Sequence, residues 1–304
     1  MSADAAEGGT SQFVTTHDGL KLHVRTFGEG PACGTPIVCL PGLARTCADF
    51  GPLAQALSSR RPPRRVVALD YRGRGRSDHD RNPANYSLAT ELADLLTVIT
   101  ALDLAPAVFI GTSRGGILAM LLAATRPTAI AGVVLNDVGP VIEVRGLARI
   151  KSYVGRLPAP TSFSDASAIL RRLFAAQFPK LTEDEWMAFA RRSFEEHGGR
   201  LRPTYDPNIA TTLEGIDLAQ PLPPLWAEFD ALEGVPVMVI RGANSDLLSE
   251  ATVATMRERR PDLRAIEVPD QGHAPLLSEP EIIAQIDAFI RGCDAQGTKK
   301  APAS

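Results

Sequence analysis

A mostly parallel, eight-stranded α/β sheet with helices on both faces and a helical insertion late in the chain is the architecture this sequence predicts. Three observations lead there. Short apolar runs rich in β-branched residues alternate with longer stretches of helical spacing, the pattern of parallel strands joined by crossover helices. Most of the runs are continuous rather than alternating, as in strands buried on both faces. No strand candidate falls between Asp137 and Val235, so something helical is inserted there.

The strand candidates are residues 12–16, 20–27, 36–40, 65–70, 107–111, 130–137, 236–241 and 264–268. Asp18-Gly19 between the first two is a hairpin signal, so the sheet is expected to begin antiparallel. Residues 47–59, 87–103, 114–126, 249–259 and 279–292 carry apolar side chains at helical spacing. In the insertion, Ile142, Leu147, Ile150 and Val154 space as one helix face, Ile169, Leu170, Leu173 and Phe174 as a second, and Trp186, Phe189 and Ala190 as a third. The third opens at Thr182 and Glu185 with capping-box spacing. It is expected to close at H-G-G, with His197 in the last turn and Gly198 as its cap. The chain thus divides into a core of residues 11–138 and 226–293, an insertion at 139–225, and disordered tails at 1–10 and 294–304.

Composition narrows the function. The chain has 304 residues, 44% of them hydrophobic, enough for a large core. A formal charge of -3 gives no electrostatic footprint for nucleic acid or an anionic membrane, so the expected partner is a small molecule. Cys33, Cys39, Cys47 and Cys293 form no C-x-x-C pair, which speaks against a zinc knuckle or a thioredoxin-like site and for buried, reduced thiols. Neither a ligand cluster nor a phosphate-binding glycine loop is present, so no metal and no organic cofactor are expected. With no secretory-type start and no apolar run of membrane-spanning length, a cytoplasmic location is expected.

The chemistry is carried by V-F-I-G-T-S-R-G-G at 108–116, where a buried strand stops at Gly111 and a helix opens at Arg114. A serine on such a turn projects its hydroxyl from the backbone, and the flanking glycines allow close approach of neighbouring chain. A serine hydroxyl barely ionises at neutral pH and needs a base, which in turn needs an acidic orienter. His17, His23, His79 and His197 sit in a hairpin, a strand, a polar loop and a helix end, each with an adequate structural role. His273, in D-Q-G-H-A-P after the last strand, has none. Asp246 and Asp137 both stand at carboxyl ends of strands, where open α/β sheets place ligands. Asp246 is the favoured acid, with Asp137 as the alternative. Asp270 is too near His273 in sequence and reads as a turn former.

At these residues the sequence resembles the α/β-hydrolase superfamily over nearly the whole chain. L-P-G-L at 40–43 stands where that family often has His-Gly, D-Y-R-G-R-G-R-S at 70–77 matches its D-x-R-G-x-G-x-S turn, and G-T-S-R-G-G matches its nucleophile elbow. The resemblance implies Ser113 as nucleophile, Asp246 as acid, His273 as base, and the backbone N–H groups of Leu43 and Arg114 as oxyanion donors. It also implies that residues 139–225 form a helical cap over the site. Pro41 departs from the family's frequent histidine, and Arg114 from its usual uncharged residue. Arg114 is expected to meet a cap carboxylate such as Glu143, with a substrate carboxylate as the alternative.

The expected activity is hydrolysis of a small carboxylic ester or lactone through an acyl-enzyme. Alternatives are hydrolysis of a carbon–carbon bond in a diketone-type substrate, which the same cap and triad serve, and a ligand receptor on a hydrolase scaffold. R-G-R-G-R is read as a structural turn rather than an RNA-binding segment. Trp186 and Trp226 are candidates for the substrate pocket, although core packing is the stronger reading of each.

Overall fold

A computed structural model describes residues 8–28, 34–61 and 63–300. The central sheet is built from β1 (Thr10–Thr15), β2 (Lys21–Phe27), β3 (Ile37–Leu40), β4 (Val66–Leu69), β5 (Ala107–Thr112), β6 (Ile130–Asn136), β9 (Val237–Gly242) and β10 (Arg264–Val268). Its spatial order is β1-β2-β4-β3-β5-β6-β9-β10. The first two strands pair antiparallel through the turn at Gly19, whose φ is 87°, and β2 meets β4 antiparallel. The remaining pairs are parallel. All eight strands read from the sequence are present, because continuous apolar runs flanked by glycine, proline and polar turns have few other ways to be buried.

The period-two alternation of these strands divides the core into two layers. Val38, Leu40, Val67, Phe109, Val133 and Val239 join one cluster with α2 (Leu88–Ala101), α3 (Arg114–Thr125), α8 (Trp226–Asp230) and α9 (Glu250–Arg259). Ile37, Cys39, Val66, Val108, Val134 and Ile240 join the opposite cluster with α1 (Gly51–Ser58) and α10 (Pro280–Lys300). Helices therefore lie on both faces. Cys39, Cys47 and Cys293 are buried, while Cys33 lies outside the described residues.

Between β6 and β9 the chain forms α4 (Val144–Tyr153), α5 (Phe163–Phe174), α6 (Glu183–Ser193), the ribbon β7 (Phe194–His197) and β8 (Arg200–Pro203), and the short α7 (Thr211–Glu214). The capping box is present: Glu185 donates its backbone N–H to Thr182 Oγ1, and its carboxylate accepts from the Thr182 backbone at 2.8 Å. The predicted end of this helix is corrected. Phe194 is already extended, and His197 lies on β7 rather than in a last helical turn. Gly198 and Gly199 turn the ribbon with φ of 58° and 74°. Paired left-handed residues close a two-residue hairpin, so the H-G-G signal served a strand turn and not a helix cap.

The predicted tails are also corrected where they are described. β1 begins at Thr10, and α10 runs past 294 to Lys300, with Asp294 Oδ1 accepting from buried Arg64 at 3.0 Å. Residues 1–7 and 301–304 lie outside the described residues. Among the described residues, no helix is long and apolar enough to cross a membrane.

The R-G-R-G-R segment is an internal strut. Buried Arg72 binds Asp94 through Nε at 2.7 Å and Nη2 at 2.6 Å, and adds Asp80 at 2.6 Å. Gly75 has φ of 55°, and a Cβ there would stand 2.2 Å from Asp70 Oδ2, the oxygen that meets His23 Nδ1 at 2.7 Å. Gly75→Ala is therefore expected to cost about 2–4 kcal/mol, combining left-handed strain with displacement of a buried carboxylate. Thermal melting should fall by roughly 3–6 °C; a melt that does not move would show the turn to be tolerant.

Candidate active site

The carboxyl ends of β3, β5, β6 and β9, with the loop after β10, converge on Ser113. Its backbone is held at φ 51°, ψ -115°. The turn closes only because neighbouring side chains are missing. A Cβ on Gly111 would lie 2.4 Å from the Gly115 backbone, and one on Gly115 would lie 2.1 Å from the Leu40 carbonyl oxygen. The serine makes no side-chain cap for α3, so its hydroxyl is free to point elsewhere.

It points to His273. Nε2 of the ring lies 2.9 Å from Ser113 Oγ, and Nδ1 lies 2.8 Å from Asp137 Oδ2. Asp137 is fully buried, follows β6 directly and has φ of 55°, a region that aspartate tolerates better than most residues. Its Oδ1 accepts the Gly242 N–H at 2.8 Å, and Oδ2 also accepts the Ser245 hydroxyl at 2.6 Å. These donors hold the carboxylate in place and compensate its burial. The loop carrying His273 is fixed at three points. Its backbone N–H donates to Gln177 Oε1 at 2.9 Å, Asn136 Nδ2 donates to the Pro275 carbonyl at 3.1 Å, and Leu276 N–H donates to Gln271 Oε1 at 2.7 Å.

The favoured acid is corrected by this geometry. The imidazole hydrogen-bonds Asp137 and not Asp246, both of whose oxygens accept from Arg149 of α4, at 2.7 and 2.8 Å. Burial alone would raise its carboxyl, but hydrogen bonds from Arg149 and Gln177 and the Arg149 charge outweigh it and hold the group below its ordinary range. A turn closed by Ser245 N–H on the Gly242 carbonyl at 2.9 Å brings Ser245 toward Asp137 and sends the next residue to the insertion. Both acids leave carboxyl ends of adjacent strands, so only the course of this turn separates them.

Of the two expected oxyanion donors, Leu43 lines the same cavity as Ser113, and Arg114 directly follows that serine. Arg114 is the first residue of α3, where a backbone N–H has no partner within its own helix. Leu43 lies in the loop after β3. The Gly42 carbonyl accepts Arg45 N–H at 3.2 Å, which turns the Leu43 N–H of the same peptide the opposite way. The Leu43 carbonyl accepts from Arg74 Nε at 2.8 Å, tying this loop to the buried strut.

The side chain of Arg114 is corrected. It does not meet Glu143; Nε binds Glu91 Oε2 of α2 at 2.5 Å and Nη2 donates to the Tyr86 carbonyl at 3.0 Å. Glu91 is fully buried and also pairs with Arg74 at 2.7 Å. Arg114→Gln is thus expected to destabilise the protein by about 1–3 kcal/mol by leaving buried Glu91 with Arg74 as its remaining cationic partner, and to lower activity on acidic and neutral esters alike. Melting curves and paired ester assays check this, and a loss confined to acidic esters would return Arg114 to substrate recognition.

A cavity of about 140 Å³, close to the volume that admits one six-membered ring, opens beside Ser113 and His273. Leu157, Leu170, Phe174, Phe178 and Phe189 of the insertion give it apolar walls. Neither tryptophan belongs to it, which corrects that expectation. Trp186 is buried inside the insertion's own cluster, stacked on Phe189 at 6.1 Å between centroids. Trp226 packs on the main core beneath Arg259. Polar groups that sequence reasoning missed do line it: Arg45, Asp49 and Arg192. Arg45 follows the oxyanion loop by two residues, a position that could have drawn attention, whereas Arg192 looks like any cation in the last turn of a helix. The described residues that cluster like metal ligands are His23, Cys47 and Asp70, and there the imidazole and carboxylate already bind each other at 2.7 Å.

A hydroxyl aimed at an imidazole that a buried carboxylate orients, at the carboxyl edge of an α/β sheet, is an arrangement for nucleophilic attack on a carbonyl. Known proteins share the fold. The chain is 34% identical over 289 residues to the 3-hydroxybutyrate-oligomer hydrolase of Cupriavidus necator, an alignment that covers 89% of this chain and 94% of that protein. It is 28% identical over 257 residues to the sn-1-specific diacylglycerol lipase ABHD11 of Mus musculus, covering 83% and 80%. The crystal structure of an alpha/beta hydrolase from Novosphingobium aromaticivorans DSM 12444 superimposes with a TM-score of 0.85 at 38% identity, over 93% of this chain and 98% of that one. A model of the alpha/beta hydrolase family matches residues 37–286, which completes the case: the chain belongs to the alpha/beta hydrolase family.

Proposed function

We propose that this hydrolase cleaves a small carboxylic ester through an acyl-enzyme intermediate. The observation that carries this reading is the unbroken contact from Ser113 Oγ through both nitrogens of His273 to Asp137. In the proposed reaction Ser113 Oγ attacks the carbonyl carbon while His273 Nε2 accepts its proton. Asp137 holds Nδ1–H and stabilises the imidazolium. The N–H groups of Leu43 and Arg114 receive the developing oxyanion. Collapse expels the alcohol, which takes the proton from His273. Water, deprotonated by the same ring, then releases the acid and restores the serine. The inserted segment 139–225 acts as a cap, excluding bulk water and shaping an apolar chamber for a short acyl or alcohol group.

Ester cleavage is supported by the relatives named for a hydroxybutyrate oligomer and a diacylglycerol, both of which contain ester bonds. The test combines covalent labelling with a substrate panel. A fluorophosphonate should label Ser113, and short p-nitrophenyl esters should turn over faster than a ring-cleavage diketone. Faster cleavage of the diketone would make carbon–carbon hydrolysis the activity. Failure of both labelling and turnover would point to a ligand receptor.

A further inference from the structure

Two guanidiniums and one carboxylate share the cavity with Ser113, and their bonding is unequal. Arg45 clamps Asp49 through both carboxylate oxygens, with Nε at 2.6 Å from Oδ2, and gives Nη1 to Ser193 Oγ at 2.7 Å. Its guanidinium also lies over the Phe189 ring, 4.5 Å from the centroid. Arg192 reaches Asp49 only sideways, Nε to Oδ1 at 3.4 Å, and that buried Nε has no hydrogen-bond partner. Burial pulls the Arg192 guanidinium below the ordinary arginine range and the Arg45 charge adds to this, against the pull of Asp49. An arginine still stays protonated at neutral pH.

The chamber therefore holds one cation more than its acid can neutralise. Besides His273 and the phenols of Tyr153 and Tyr205, which burial pushes up and keeps neutral, the ionisable side chains among the described residues that line it are Arg45, Asp49 and Arg192. A charge that is mostly shielded, its side chain 24% exposed, and without a full partner is costly beside apolar walls, and a bidentate anion offers the pairing that Arg192 lacks. Arg114, the sequence candidate for reading substrate charge, is committed to Glu91.

We infer that Arg192, braced by the Arg45–Asp49 clamp, is a carboxylate-binding subsite, and that the substrate is a short ester bearing a free carboxylate. This rests on the hydrolase reading, since it specifies the molecule that Ser113 attacks. The carboxylate docks at the junction of α6 with the oxyanion loop and leaves the ester carbonyl to the serine.

The probe pair is the linear dimer of 3-hydroxybutyrate as the free acid and as its methyl ester, which differ only in the charge in question. In Ser113→Ala protein, calorimetry should show the acid binding about 10- to 100-fold more tightly than the methyl ester. Adding Arg192→Gln should collapse that ratio to within about threefold, and Arg192→Lys should retain an intermediate ratio. Equal affinities in Ser113→Ala protein, or a preference that Arg192→Gln leaves intact, would overturn the subsite. Turnover by the unaltered enzyme separates the two readings. Hydrolysis of both dimers without an acid preference sinks the subsite alone, whereas Arg192-dependent binding of the acid without labelling or turnover sinks the hydrolase reading alone.

Discussion

Ser113→Ala is expected to lower turnover by a factor on the order of 10⁶. The hydroxyl has a single catalytic contact, the 2.9 Å approach to His273 Nε2, and no other described side chain in the cavity offers an oxygen to that nitrogen. Removing it leaves the Leu43 and Arg114 N–H groups and the cavity walls intact, so residual catalysis by water attack should persist, about 10³- to 10⁴-fold above the uncatalysed rate. The measurement is kcat on a short p-nitrophenyl ester, with fluorophosphonate labelling confirming loss of the reactive group. A variant retaining a tenth of the activity would remove Ser113 from the reaction.

Asp137→Asn should cost a factor on the order of 10⁴, and the reason can be traced atom by atom. Gly242 N–H donates to Oδ1 at 2.8 Å, so an asparagine must place its carbonyl there. Its amide NH₂ then faces His273 Nδ1, which must accept, and the ring proton moves to Nε2. A protonated Nε2 cannot take the serine proton. Asp246→Asn should behave differently. It loses the Arg149 bridge at an edge that is mostly shielded, with the carboxylate 11% exposed, so a stability loss of about 1–3 kcal/mol is expected with less than tenfold change in kcat. The Asp246 carboxyl is held below its ordinary range, so its stabilisation is complete above the unfolded value near pH 4 and fades as pH falls through the folded one. In Asp246→Asn that acid-side slope should be absent. A severe kcat loss at Asp246 together with a mild one at Asp137 would reverse the assignment.

The serine turn was legible because its signal is local. Gly111, Ser113 and Gly115 lie within one turn, and each glycine excludes a clash with chain only a few residues or one strand away. His273 was legible by elimination, since the other histidines had structural work; His23, for one, is buried against Asp70. The acid was not. Asp137 and Asp246 leave adjacent parallel strands, and the partner that claims Asp246 is Arg149, 97 residues earlier in the chain. Nothing in a linear pattern states which carboxylate an arginine of the insertion will take.

The same division runs through the rest of the molecule. By itself, the sequence determined the eight strands, the antiparallel start, the crossover helices and the serine turn, because periodicity, glycine conformation and capping act between neighbours along the chain. The tertiary structure alone decided which carboxylate meets His273, the partner of Arg114, the ribbon at 194–203 and the charged lining of the cavity. Those depend on which groups from distant segments share a desolvated space, and there the cost of an unpaired charge sets the pairing.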